Sequence, residues 1–146
     1  MIEKTIENWH LQIRGEFPGG LDELLADDCV FYSPIVFTPQ KGKEITKLYL
    51  SAAASSFSDG SRAGKTERLS SASKFRYVKQ TFAGNHAILE FESELGGKYV
   101  NGVDIISCNE SGRIVEFKVM IRPLQAVNLL HDRMAAMLEK LKSQAS

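Results

Sequence analysis

The chain has 146 residues, 43% of them hydrophobic and 25% charged, which excludes a disordered chain and fits one soluble globular domain spanning residues 1–146. Its 18 Lys and Arg balance 18 Asp and Glu, so no net field holds a polyanion, and neither nucleic acid nor an anionic membrane surface is an expected partner. Two distant cysteines, Cys29 and Cys108, imply no disulfide framework and no metal-ligand spacing; no metal or cofactor is expected. The first residues do not fit a signal peptide and no apolar run approaches the ~20 residues of a spanning helix, so the expected location is cytoplasmic.

Ile2, Ile6, Trp9 and Ile13 recur at helical spacing, and residues 2–15 read as an amphipathic helix. After the break at Phe17-Pro18-Gly19-Gly20, Leu21, Leu24 and Leu25 fit a short second helix ending near Ala26. Residues 29–32 are strand-forming types that stop at Ser33-Pro34, because proline restricts the residue before it. Ile45, Leu48, Tyr49, Ala52, Ala53 and Phe57 place a third helix over residues 43–58. Residues 58–74 are mostly Ser, Gly, Lys and Arg and read as a mobile or extended loop. Strands are predicted over 75–82, 86–95, 99–108 and 113–122, separated by Ala83-Gly84-Asn85, the two-residue signal Gly96-Gly97, and the turn at residues 109–112. Pro123 suits the first turn of a last helix whose apolar face runs from Leu124 to Leu141. Helices first and then a strand meander give an α+β architecture, with helices on one face of a curved antiparallel sheet.

A two-residue turn at Gly96-Gly97 fixes a register. Leu95 pairs with Lys98, Ser93 with Val100, Phe91 with Gly102 and Leu89 with Asp104. One face then carries Leu89, Phe91, Ser93, Val100, Gly102, Asp104 and Ile106, continued by Val115, Phe117, Val119 and Ile121 on the last strand. The other carries Glu90, Glu92, Glu94, Tyr99, Asn101, Val103 and Ile105, with Lys118, Met120 and Arg122 in the same layer, and is expected to meet a second copy of the chain, complementary charges helping to set the register. Asp104 is the one carboxylate on the apolar face. Such a group is either protonated by desolvation or held by buried donors, for which Trp9 and Ser33 are the candidates. Both a catalytic and a structural reading of Asp104 are open at this stage.

The order of elements, together with Leu25 to Pro34, Gly42-Lys43-Glu44-Ile45, Asn101-Gly102-Val103-Asp104 and Ser111 to Phe117, resembles the nuclear transport factor two-like superfamily in its SnoaL-like and ketosteroid-isomerase-like branch. The resemblance implies a cystatin-like roll: a cone of bent antiparallel strands around helices, an apolar pocket inside the cone, and a homodimer through the outer sheet face. It also sets Asp104 at the position of the isomerases' protonated, hydrogen-bond-donating Asp, an arrangement that serves as a standard example of pKa tuning. Ser33 stands where the proton-shuttling Asp should be and Trp9 where the oxyanion-hole Tyr should be, which disfavours steroid isomerisation by that mechanism. The Asp–His pairing of the SnoaL-like cyclases would have to use His10, and the Asp-Arg-Asp set of the fold's epoxide hydrolases finds no inward Arg.

The resulting expectation is a domain holding a small hydrophobic molecule, with Trp9, Phe31, Ser33, Phe37, Leu89, Phe91, Phe117 and Val119 as its contacts. Phe37 and Tyr32 are placed near the ligand by a loop over the pocket mouth. One alternative is an isomerase, cyclase or dehydratase with Asp104 as general acid or oxyanion donor and Tyr32, His10 or water taking the proton. The other is a non-catalytic dimeric interaction module.

Overall fold

In a computed structural model that describes residues 1–57 and 74–145, the order of elements is α1 (Ile2–Ile13), α2 (Gly20–Leu24), β1 (Leu25–Tyr32), β2 (Gln40–Lys41), α3 (Lys43–Phe57), β3 (Arg76–Ala83), β4 (His86–Leu95), β5 (Lys98–Cys108), β6 (Ile114–Arg122) and α4 (Leu124–Ala145). The loop expected over residues 58–74 lies, but for its last residue, outside the described residues. The sheet runs β2-β1-β6-β5-β4-β3, with β1 parallel to β6 and every other neighbour antiparallel. It is curved and unclosed, and the α+β cone with helices against its inner face is the architecture expected.

The β4–β5 register is the one counted from the turn. Gly96 and Gly97 both take positive φ, 53° and 79°, as a tight two-residue hairpin demands, and Leu89 faces Asp104 while Phe91 faces Gly102. Alternate burial along β4, where Ala87, Leu89, Phe91, Ser93 and Leu95 are all buried, marks one face as core. Gly102 is required where it stands: a Cβ there would lie 2.5 Å from the Phe91 ring and 2.5 Å from the Met120 carbonyl oxygen. The ring thus lies over β5 two residues from Asp104.

Several boundaries differ from expectation. Leu25 and Ala26 belong to β1 rather than to the end of α2, and β1 starts four residues before the expected Cys29. Asp27 and Asp28 are exposed there, where the β1–β6 register shifts between Leu25 and Val30, and that irregularity hides the strand from a period-two reading. A short edge strand, β2, pairs Gln40 and Lys41 with Phe31 and Val30. On β6 the shift beside Cys108 makes Ile114 the fully buried residue in place of Val115. Pro123 precedes α4, and its carbonyl accepts the amides of Ala126 and Val127.

Two apolar clusters fill the space between helices and sheet. One joins Ile2, Ile6 and Trp9 of α1 to Phe31, Leu89 and Phe117; the other joins Ala52 of α3 to Phe91, Leu95, Val100 and α4 residues Ala126, Leu130 and Met134. A cavity remains where they meet. No described helix is long and apolar enough to cross a membrane.

Candidate functional site

The cavity is walled by Trp9, Gln12 and Ile13 of α1, by Leu50, Ser51, Ala53, Ala54 and Phe57 of α3, and by Leu130 and Met134 of α4. The sheet contributes Phe31, Tyr77, Phe91, Asp104, Phe117, Val119 and Ile121, and Leu21, Pro34 and Phe75 complete it. Its volume is about 80 Å³, room for more than one water. Aromatic rings clad it: Phe75 stacks on Phe91 at 4.9 Å between centroids, and Trp9 meets Phe117 edge to face at 4.9 Å.

Into this apolar space the sheet delivers one carboxyl. Asp104 is 5% exposed, held between Leu89 on β4 and Val119 on β6. Its hydrogen-bond partner is Tyr77, whose hydroxyl donates to Asp104 Oδ2 at 2.5 Å. That hydroxyl in turn accepts the Trp9 indole N–H at 2.9 Å. Three elements, α1, β3 and β5, therefore place a continuous chain, Trp9 to Tyr77 to Asp104, on the cavity wall. Burial penalises the carboxylate and pushes Asp104 up from 3.8 to about 7, with the Tyr77 hydrogen bond opposing that rise. Burial, and then the adjoining Asp104 charge, push the Tyr77 phenol well above its ordinary 10. Near neutral pH the carboxyl divides between its two forms, while Tyr77 stays a neutral donor. The pair can give or take a proton at Asp104 or hydrogen-bond a ligand oxygen.

Of the residues expected at the site, Asp104, Trp9, Phe31, Phe91, Phe117 and Val119 line the cavity. Leu89 is fully buried in the core and is not on the wall. Ser33 is not on the wall either: its Oγ accepts the amides of Ile35 and Val36 at 3.0 and 3.2 Å, closing a local turn. Phe37 is 99% exposed, so the segment after Pro34 does not carry that ring to a ligand. Tyr32 pairs with Lys118 on the outer face, where the Lys118 ammonium lies 4.7 Å from its ring, and it takes no part in the cavity. His10 bonds Gln80 through Nε2 at 3.0 Å and meets the Tyr77 ring edge to face at 5.5 Å, bracing the tyrosine from outside the cavity wall.

Tyr77 is the residue that sequence reasoning missed. Counting back from the Gly84-Asn85 turn puts it on the outer face, but a bulge between Tyr77 and Lys79 inserts Val78 and brings Tyr77 opposite Phe91, pointing inward. Gln12 was missed as well, although it lies three residues beyond Trp9 on the stripe that α1 buries. Among the described residues no three His, Cys, Asp or Glu side chains come together in a way that could hold a metal ion.

No protein-family model and no curated protein matches the chain. Solved structures do. A steroid delta-isomerase from Pseudomonas aeruginosa is 29% identical, with a TM-score of 0.80 over 97% of this chain and 94% of that one. An uncharacterized protein conserved in bacteria with a cystatin-like fold, from Silicibacter pomeroyi, is 28% identical, with a TM-score of 0.73 over 90% and 83%. A nuclear transport factor two-like protein of unknown function from Mesorhizobium loti is 18% identical, with a TM-score of 0.60 over 84% and 91%, a likeness of fold.

Proposed function

Because the chain belongs to the nuclear transport factor two-like superfamily, in its SnoaL-like and ketosteroid-isomerase-like branch, we propose that its cone is a small-molecule site. The ligand is an apolar molecule whose ketone or hydroxyl meets Asp104. The carrying observation is the hydrogen-bonded chain Trp9–Tyr77–Asp104 on the wall of an otherwise apolar cavity. Burying an acid there costs stability, and a ligand group that hydrogen-bonds it recovers part of that cost. Trp9 is the single tryptophan of the chain, so its fluorescence reports occupancy. Titration with androstenone, a rigid apolar body bearing one ketone, is expected to change Trp9 emission saturably, and Asp104→Leu to weaken binding about tenfold or more. No saturable change in the wild-type protein would sink the pocket reading.

A second reading, catalysis, is favoured by a carboxyl on the cavity wall that burial pushes up to about 7, near the pH at which an acid–base group works best. Asp104 is the one acidic side chain lining the cavity among the described residues, so a single carboxyl must both accept and return the proton. Tyr77 commits its one hydroxyl hydrogen to Asp104, so the protonated form of Asp104 is the donor that meets a ligand oxygen. Shift of a β,γ-unsaturated ketone into conjugation, followed by ultraviolet absorbance, tests this. Asp104→Asn is expected to slow it by at least about 100-fold; an unchanged rate would remove Asp104 from any such chemistry.

The outer face supports a further proposal, a pair of copies. Register places Ile88, Ile105, Val103 and Met120 side by side there, with Ile88 and Met120 about half exposed. Sedimentation at rising concentration is expected to show a dimer that Met120→Glu disrupts.

A further inference from the structure

We propose that Gln12 is a second polar anchor of the cavity, whose amide binds a neutral hydrogen-bonding group of the ligand. The site then takes an uncharged apolar molecule carrying polar groups at two points. This rests on the cavity being a ligand site. Gln12 is 7% exposed and occupies the position on α1 that continues the buried series Ile2, Thr5, Ile6 and Trp9. An amide on such a stripe is normally hydrogen-bonded to the protein, yet no described side chain or backbone group bonds this one. It differs from Ser93, whose Oγ is sealed off without a partner, because Gln12 is part of the cavity wall. Its Oε1 lies near Gly20, where a Cβ would be 3.7 Å away, so the amide sits against the start of α2, one helical turn beyond Trp9.

The chemistry of the partner follows from what surrounds it. An amide offers two donors and an acceptor and no charge. Among the described residues no Lys, Arg or His lines the cavity, and Asp104 is its only carboxylic acid. A carboxylate or phosphate entering there would lose its hydration without finding a cation. A ketone, hydroxyl or carboxamide meets Gln12 at far lower cost. With one polar group directed to Asp104 and a second to Gln12, the ligand is held at two points of the cavity.

Calorimetric titration with the one-ketone probe androstenone and the two-ketone androstenedione tests this in the wild-type protein and in Gln12→Leu and Gln12→Met. The wild type is expected to bind the two-ketone probe about 3- to 10-fold tighter, the ratio of one neutral hydrogen bond. Both variants are expected to lose that preference while keeping their affinity for androstenone. Their thermal midpoints without ligand should equal or exceed the wild-type value, since no group among the described residues bonds the amide. A two-ketone probe with a carboxylate in place of its second ketone should bind at least tenfold more weakly than androstenedione. Preference retained in both variants, a fall in both midpoints, or equal binding of the carboxylate would overturn the inference and leave the pocket itself standing. Failure of every probe to bind the wild type would overturn the pocket reading and this inference with it.

Discussion

On the outer face of the sheet, Glu92 accepts Arg76 at 2.9 Å and the Tyr99 hydroxyl at 2.7 Å, and Glu94 accepts Lys74 at 3.0 Å, all with water at hand. On the inner face of the same β4–β5 pair, Asp104 has one neutral phenol and no cation. The outer carboxylates give up little hydration and gain little from their partners. The inner one gives up nearly all of it, and burial pushes its pKa up to about 7. Within the chain, Glu92 and Glu94 are thus paired with Arg76 and Lys74 in turn.

The contrast is testable, beginning with its largest consequence. Asp104 holds its proton to about 7 in the fold and to 3.8 when unfolded, so between those values the folded chain binds more protons. Its contribution to stability is fully present below 3.8 and is lost as pH rises through about 7, a total of roughly 4 kcal/mol at most. Urea unfolding across that range should show the decline, and Asp104→Asn should flatten it; a wild-type profile parallel to the variant's would mean that Asp104 is not desolvated. Tyr77→Phe comes next. It strands both the Trp9 N–H and Asp104, at about 2–3 kcal/mol, and by removing the bond that holds the carboxyl down it should move the Asp104 titration, read by carboxyl-carbon NMR, still higher.

Smaller effects follow. Ser93→Ala removes a buried hydroxyl with no partner and should add about 1 kcal/mol, a rise of roughly 3 °C in thermal midpoint. Arg76→Ala, on the outer face, should change stability by less than about 0.5 kcal/mol, the ordinary worth of an exposed ion pair. A larger loss for Arg76→Ala than for Tyr77→Phe would reverse the contrast between the faces.

Much of this was legible because period-two alternation and a two-glycine turn are local signals. They put Asp104 opposite Leu89 on an apolar face and Phe91, Phe117 and Val119 on the same side. Phe37 and Ser33 were misplaced because a resemblance and a proline position say where a segment lies, not where its side chains point. Ser33 spends its hydroxyl on its own turn, and Phe37 stands in solvent. Tyr32 shows the same limit of neighbourhood arguments: its neighbour Phe31 faces in, so it faces out.

By itself the sequence determined the order of elements, the β4–β5 register and the presence of one acid among apolar neighbours, since each depends on residues close along the chain. Tertiary structure decided that acid's partner. Tyr77 is 27 residues from Asp104, and it turns inward only because the strand that carries it holds one extra residue, Val78, whose insertion reverses which face every residue before it occupies. Trp9 reaches the same hydroxyl from the other end of the chain. Neither contact has a local signature, because a bulge is recognised only when two strands are paired and a cavity only when helices have closed over a sheet.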